Sequence, residues 1–231
     1  MLAESPQNAP LPLSEGAPVA QFEIGDYRNF VYLILDWNTK KAAIIDPQED
    51  LSKPLLALET HGFQLERVLL THTHFDHIAG VQELIEKFSK LPLHVHSLDR
   101  HRLKEKGPDV WSACCPTEDE EQISVGQLQI QALHTPGHSA GEICYRLETS
   151  ENAYLFSGDT LFIRDCGRTD LETGSNEQMF QSLQKIKKLD PKTVILPGHH
   201  YVKEYTSTLS RELETNPPLQ CKSVRELEAL P

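Results

Sequence analysis

Thr71-His72-Thr73-His74-Phe75-Asp76-His77 is the stretch from which the fold and the chemistry of this chain are read. It follows a short apolar run, Arg67 to Thr71, with the look of a strand. Imidazole and carboxylate are the donors that suit zinc, iron or manganese. In an extended segment alternate side chains point the same way, so His72 and His74 share one side. The turn into the next helix can aim Asp76 and His77 at a neighbouring point. Donors at this density crowd a single ion that must keep an open position, and they fit two adjacent ions better.

Working outward, three further donors sit just past apolar runs. They are His138 in His134-Thr135-Pro136-Gly137-His138, Asp159 in Phe156-Ser157-Gly158-Asp159-Thr160, and His199 in Leu196-Pro197-Gly198-His199-His200-Tyr201. A glycine precedes each, which lets the backbone turn sharply toward a cleft, and strand-end loops are where functional groups concentrate. Taken singly, each is more often a surface or hydrogen-bonded residue than a ligand. Their order behind the His72–His77 cluster raises them together. His200 competes with His199, which is favoured because it directly follows Pro197-Gly198. His94 and His96 share a strand face and read as structural, His61 and His101 as surface residues, and His134 as a support for the site.

Strands are expected at Phe30 to Asp36, Ala42 to Ile45, Arg67 to Thr71, Leu93 to His96, Gln122 to Val125, Leu128 to His134, Glu142 to Leu147, Tyr154 to Ser157 and Thr193 to Leu196. Helices are expected at Leu51 to Thr60, Val81 to Lys90, Asn176 to Leu189 and Val202 to Thr215. Ser175 with Gln178 forms a capping-box pattern before the third. His101 to Glu121 reads as irregular. Two runs of strands, each followed by helices, suggest two sheets with helices outside. The domain reading is a flexible arm over 1–19, a catalytic domain over 20–217 and a short tail over 218–231.

The chain has 231 residues and a formal net charge of −12. That length can bury a full core without disulfide or metal staples. The acidic balance opposes polyanion binding, so no nucleic-acid partner is expected. No run of about 18 apolar residues suggests a membrane span, and the N-terminus lacks the basic start and apolar stretch of an export signal. Five cysteines without CxxC spacing argue for reduced thiols and a cytoplasmic setting.

THTHFDH, HTPGHSAGEICY, LFSGDTLF, DCGRTDL and LPGHHY together resemble the metallo-β-lactamase superfamily over roughly Phe22 to Pro217. The resemblance implies an α/β fold, a four-layer αββα sandwich with two mixed sheets flanked by helices and metals at one edge. Asp46, in Ile44 to Pro47, matches a structural aspartate. Within the superfamily the chain is similar to the glyoxalase II-like and persulfide-dioxygenase-like branch. That likeness implies His72, His74 and His138 on one ion, Asp76, His77 and His199 on another, and Asp159 bridging. Zinc is the first expectation, with iron or manganese as alternatives.

The function so implied is hydrolysis of a thioester of a small thiol conjugate, which can be glutathione-derived, by a metal-bridged hydroxide. Asp76 and Asp159 would be the catalytic carboxylates. A thiolate leaves without a dedicated acid because its conjugate acid has a pKa of about 8.5. Arg168 and Tyr201 match substrate-binding positions; on charge spacing alone, Arg168 is equally readable as an ion pair with Asp165 or Asp170. The alternative is a persulfide dioxygenase with a single iron on His72, His138 and Asp159. Few residues follow His199, too few for the C-terminal helical domain of glyoxalase II.

Overall fold

A computed structural model describes residues 8–88 and 90–230. The first half of the chain runs β1 (Val19–Ile24), β2 (Asn29–Asp36), β3 (Lys41–Ile45), α1 (Ser52–Thr60), β4 (Gln64–Leu69), α2 (Val81–Lys87) and β5 (Leu93–His96). A 3-10 helix (Arg100–Lys106), α3 (Pro108–Ala113) and β6 (Cys114–Thr117) complete it. The second half runs β7 (Gln122–Val125), β8 (Leu128–His134), β9 (Ile143–Glu148), β10 (Ala153–Gly158), β11 (Leu161–Phe162) and β12 (Asp165–Cys166). It ends with α4 (Asn176–Ile186), β13 (Val194–Pro197), β14 (Ser207–Thr208), α5 (Leu209–Thr215), α6 (Pro217–Gln220) and α7 (Val224–Glu228).

Strands β1 to β6 form one sheet in chain order, antiparallel up to β3 and parallel from there. The second sheet has the order β14-β13-β10-β9-β8-β7, and only its β10–β13 pair is parallel. Alternation along the strands explains the layering. On β2, Phe30, Tyr32 and Ile34 face the second sheet, while Val31, Leu33 and Leu35 face helices α1 to α3. On β9 and β10, Tyr145, Leu147, Tyr154 and Phe156 fill the space between sheets, while Cys144 and Leu155 turn outward. Met179, Leu183 and Ile186 of α4 cover that outer face with Leu209, Leu219 and Leu227. Strands buried on both sides need apolar residues at every position, so three apolar clusters separate four layers, α, β, β and α.

Strands β1, β11 and β12 and helices α6 and α7 lie outside the sequence-based expectation, and two stretches that it did cover fold differently. His101 to Glu121 is ordered: Leu103 and Val110 are buried against the first sheet, and Pro108 sits in the first turn of α3, where its missing N–H is no loss. The helix expected over Val202 to Thr215 begins only at Leu209. Thr208 caps it, its hydroxyl accepting from the Arg211 N–H at 3.3 Å, while Ser207 and Thr208 pair with the edge of β13. Along the segment read as an arm, residues 1–7 lie outside the described residues. Beyond them, Leu11 is buried between the sheets and shares backbone and side-chain hydrogen bonds with Gln21. The segment read as a tail packs α6 and α7 against the second sheet through Leu219 and Leu227. Among the described residues no helix is long and apolar enough to cross a membrane.

The two halves meet at one sheet edge. The Phe30 N–H donates to the Gly198 carbonyl at 2.8 Å, and Asn29 bridges to His199. The loops after β4, β8, β10 and β13 all open on that edge. Gly137, in the loop after β8, has φ +147°, and a Cβ there would lie 2.4 Å from the Met179 Cα in α4. Gly137→Ala should therefore destabilise the fold by about 2 kcal/mol, lowering Tm by roughly 4–8 °C. Thermal unfolding checks this, and an unchanged Tm would mean the loop and α4 can separate freely.

Candidate metal centre

Each loop delivers its donor by a local device. Asp46, at φ 48° just after β3, accepts from the Thr71 N–H at 2.8 Å and the Thr71 hydroxyl at 2.6 Å. That carboxylate pins the start of the His72–His77 loop to the sheet and also accepts from His77 Nδ1 at 3.0 Å. Gly198 lets β13 pass close to Asp159: a Cβ there would sit 2.4 Å from its Oδ1.

All seven donors singled out in the sequence come together. Donor atoms of His72, His74 and His138 lie within 4.8 Å of one another, as do those of Asp76, His77 and His199, and those of His72, His77 and Asp159. Asp159 stands between the first two sets. Its Oδ2 is 3.5 Å from His138 Nε2 and 3.4 Å from His199 Nε2, and its Oδ1 is 3.5 Å from His77 Nε2. His200 is not part of the cluster: its Nδ1 is 2.8 Å from Glu23 Oε2.

The far nitrogens settle which ring atoms face inward. A carbonyl or carboxylate oxygen can only accept, so each ring nitrogen beside one carries a proton. His138 Nδ1 donates to the Arg168 carbonyl at 2.8 Å, His199 Nδ1 to the Tyr27 carbonyl at 2.9 Å, and His77 Nδ1 to Asp46. In their neutral forms these rings turn a bare Nε2 inward. His77 Nε2 and His199 Nε2 then stand 3.2 Å apart, and His138 Nε2 faces His74 Nδ1 at 2.8 Å. Among the described residues, neither Nε2 of His72 nor Oδ1 of Asp159 has a hydrogen-bond partner, although both are buried. Lone pairs converging on shared points, with buried acceptors left unpaired, fit cations and little else.

Protonation in the metal-free chain differs between the rings: His72 and His74 are neutral at neutral pH and His77 is charged. Burial, then the neighbouring rings of His77 and His138, push His72 well below its ordinary value, and burial with His138 pushes His74 down to about 4. Both therefore hold free lone pairs at neutral pH. Burial also works against a charge on His77, but Asp159, Asp46 and Asp76 outweigh it and raise the ring to about 9. Burial opposes the Asp159 charge too, yet His77 and His199 hold that carboxyl below the usual range. Behind them the buried Glu142 is pushed well up, first by burial and then by Asp159, whose N–H donates to Glu142 Oε1 at 2.9 Å.

Around the donors is a cleft of about 370 Å3. Arg168 and Tyr201 both line it. Tyr201 stacks on the His199 ring at 4.8 Å, and burial with the nearby Asp159 and Asp76 pushes its hydroxyl up to about 12. Of the two readings of Arg168, the structure shows the ion pair: Nε and Nη2 reach the two Asp170 oxygens at 2.6 and 2.7 Å. The sequence reading missed Asn29, whose Nδ2 donates to Asp76 Oδ2 at 3.0 Å, and the cleft residues Tyr27, Phe75 and Arg102. Only the place of Phe75 inside the histidine motif could have signalled any of them.

Titration of these rings sets an expectation for the metal-stripped protein. The raised value of His77 gives stability that is full below pH 6.5 and is lost as pH rises through about 9. The lowered value of His74 acts oppositely, its contribution being lost as pH falls from 6.5 through about 4. Tm of chelator-treated protein should peak near pH 6.5, and His77→Gln should flatten the alkaline limb. A Tm that climbs steadily from pH 6.5 to 9 would contradict these assignments.

Comparison with known proteins fits this geometry. The chain is 33% identical over 182 residues to the "probable polyketide biosynthesis zinc-dependent hydrolase PksB" of Bacillus subtilis, covering 77% of this chain and 75% of that protein. It is 35% identical over 174 residues to a hydroxyacylglutathione hydrolase of Enterobacter, covering 75% of this chain but 62% of that protein's length. The solved structure of ETHE1 from Myxococcus xanthus superposes with a TM-score of 0.78 at 28% identity, covering 92% of each chain. Residues 24–199, which hold all seven donors, match the family model of the metallo-beta-lactamase superfamily, and the chain belongs to that superfamily.

Proposed function

We propose that this chain is a metal-dependent hydrolase that cleaves the thioester of a small thiol conjugate. The observation that carries the reading is the pair of facing donor sets with Asp159 between them, open to a cleft. The likeness to a hydroxyacylglutathione hydrolase supports the choice of bond. Divalent ions held by His72, His74 and His138 and by Asp76, His77 and His199, with Asp159 shared, would supply Lewis acidity and a bound water of lowered pKa. Zinc is the first choice for both positions.

The chain's own groups do the rest. Asn29 holds one oxygen of Asp76, leaving the other to orient a water toward the substrate carbonyl. Tyr201 keeps its proton at neutral pH and can donate to a substrate oxygen from its place on the cleft wall. Arg168 stands where it would touch substrate, and its carbonyl orients His138. The carboxylates at the rim, Asp170 and Glu172, are each tied to an arginine. Neither of these carboxylates is a free acid for a poor leaving group, and a thiolate needs none.

A second reading has one observation in its favour: the superposition on the solved structure of ETHE1, with a TM-score of 0.78 at 28% identity. It is a persulfide dioxygenase with one iron on His72, His138 and Asp159. Metal analysis with two assays decides. Two ions per chain with thioester cleavage are expected; one iron with oxygen uptake on a persulfide would reverse the choice. Asp159→Ala should cut thioester turnover by at least about 10^2-fold and abolish most metal binding. Retained activity with full metal content would remove Asp159 from the centre.

A further inference from the structure

Exposed large apolar side chains are not spread evenly over this molecule. Among the described residues there are six, and Tyr27, Phe75, Leu171 and Tyr201 all line the cleft above the metal-binding side chains. They are 56%, 64%, 37% and 58% exposed. Tyr27 and Phe75 meet edge to face with ring centroids 5.2 Å apart, which fixes them as one wall. Leu171 and Tyr201 line the same cleft. Scattered single apolar residues carry no message, whereas a contiguous group around a cleft marks a place that takes up an apolar group.

The charges at the same rim point the same way. The cations lining the cleft are Arg102 and Arg168, and each already has an acidic partner. Arg102 Nη2 is 2.9 Å from Glu172 Oε2, and Arg168 grips Asp170 with both ends of its fork. Exposed pairs of this kind are weak and can open. Opening one gives an anionic ligand no net gain, because the displaced carboxylate stays beside it. The chain's charge of −12 also slows the approach of anions.

We infer that the acyl group beside the scissile bond is uncharged and apolar, an alkyl or aryl chain seated on Tyr27, Phe75, Leu171 and Tyr201, and not a carboxylated one. This rests on the thioester reading of the same cleft. Its test uses the metal-loaded full chain and two matched ligand series. One is N-acetylcysteamine thioesters with acetyl, butanoyl, hexanoyl, phenylacetyl and succinyl groups; the other is their non-hydrolysable thioether analogues.

Calorimetric affinity for the thioethers should rise about three- to fourfold per added methylene until the cleft is filled, with the succinyl analogue weakest for its size. The kcat/KM values of the thioesters should follow the same order. Phe75→Ser and Leu171→Ser should each weaken the hexanoyl analogue at least about fivefold, and more than they weaken the acetyl one. Both side chains are exposed enough for the fold to survive. Affinity independent of chain length, or a preference for succinyl, would overturn the inference. So would a stable dimer dissociated by Phe75→Ser, which would assign the aromatic wall to an interface between copies. Should the thioethers bind as expected while no thioester is cleaved, the apolar cleft stands and the proposed reaction falls.

Discussion

Ring nitrogens crowded against one another are the constraint around which the rest of this protein is arranged. His77 and His199 meet at 3.2 Å and His74 and His138 at 2.8 Å, with two carboxylates among them. Left alone, such a cluster repels itself. It persists because three of the rings are held from behind. Asp46 grips His77, and the backbone carbonyls of Tyr27 and Arg168 grip His199 and His138. The four-layer sandwich supplies those grips by ending four strands at one edge and letting the two sheets share hydrogen bonds there. A site whose donors are fixed before any ion arrives need not reorganise to bind one or to use it.

Much of this was legible in the sequence, for a physical reason. Metal donors are chemically distinctive residues, and in this fold each follows a strand and a turn, so THTHFDH and the three Gly-preceded donors could be read as one constellation. The alternating and continuous apolar runs likewise marked two sheets. What escaped were contacts made across long stretches of chain. Tyr27 lies in the turn between β1 and β2, and it meets His199 through a backbone carbonyl, which has no sequence signature. Asn29 looks like any strand residue until the first sheet edge brings it to Asp76. Arg102 sits in a polar segment that read as irregular because Leu103 and Val110 are the buried residues of its two short helices.

The reading of Arg168 shows the limit of motif reasoning. Its position in DCGRTDL was consistent with a carboxylate clamp or an ion pair, and charge spacing could not choose. The structure shows the pair with Asp170 and adds a role that belongs to the main chain, as acceptor for His138. The side chain shapes the cleft while the backbone aims the ligand.

Two adjoining cation sites with Asp159 common to both are what the seven donor side chains are proposed to build. Anomalous X-ray scattering at the metal absorption edge, from crystals of metal-loaded protein, tests that arrangement most directly. Two peaks should appear, one among His72, His74 and His138 and one among Asp76, His77 and His199, with Asp159 within coordinating reach of each. A single peak, or peaks away from these residues, would contradict the account.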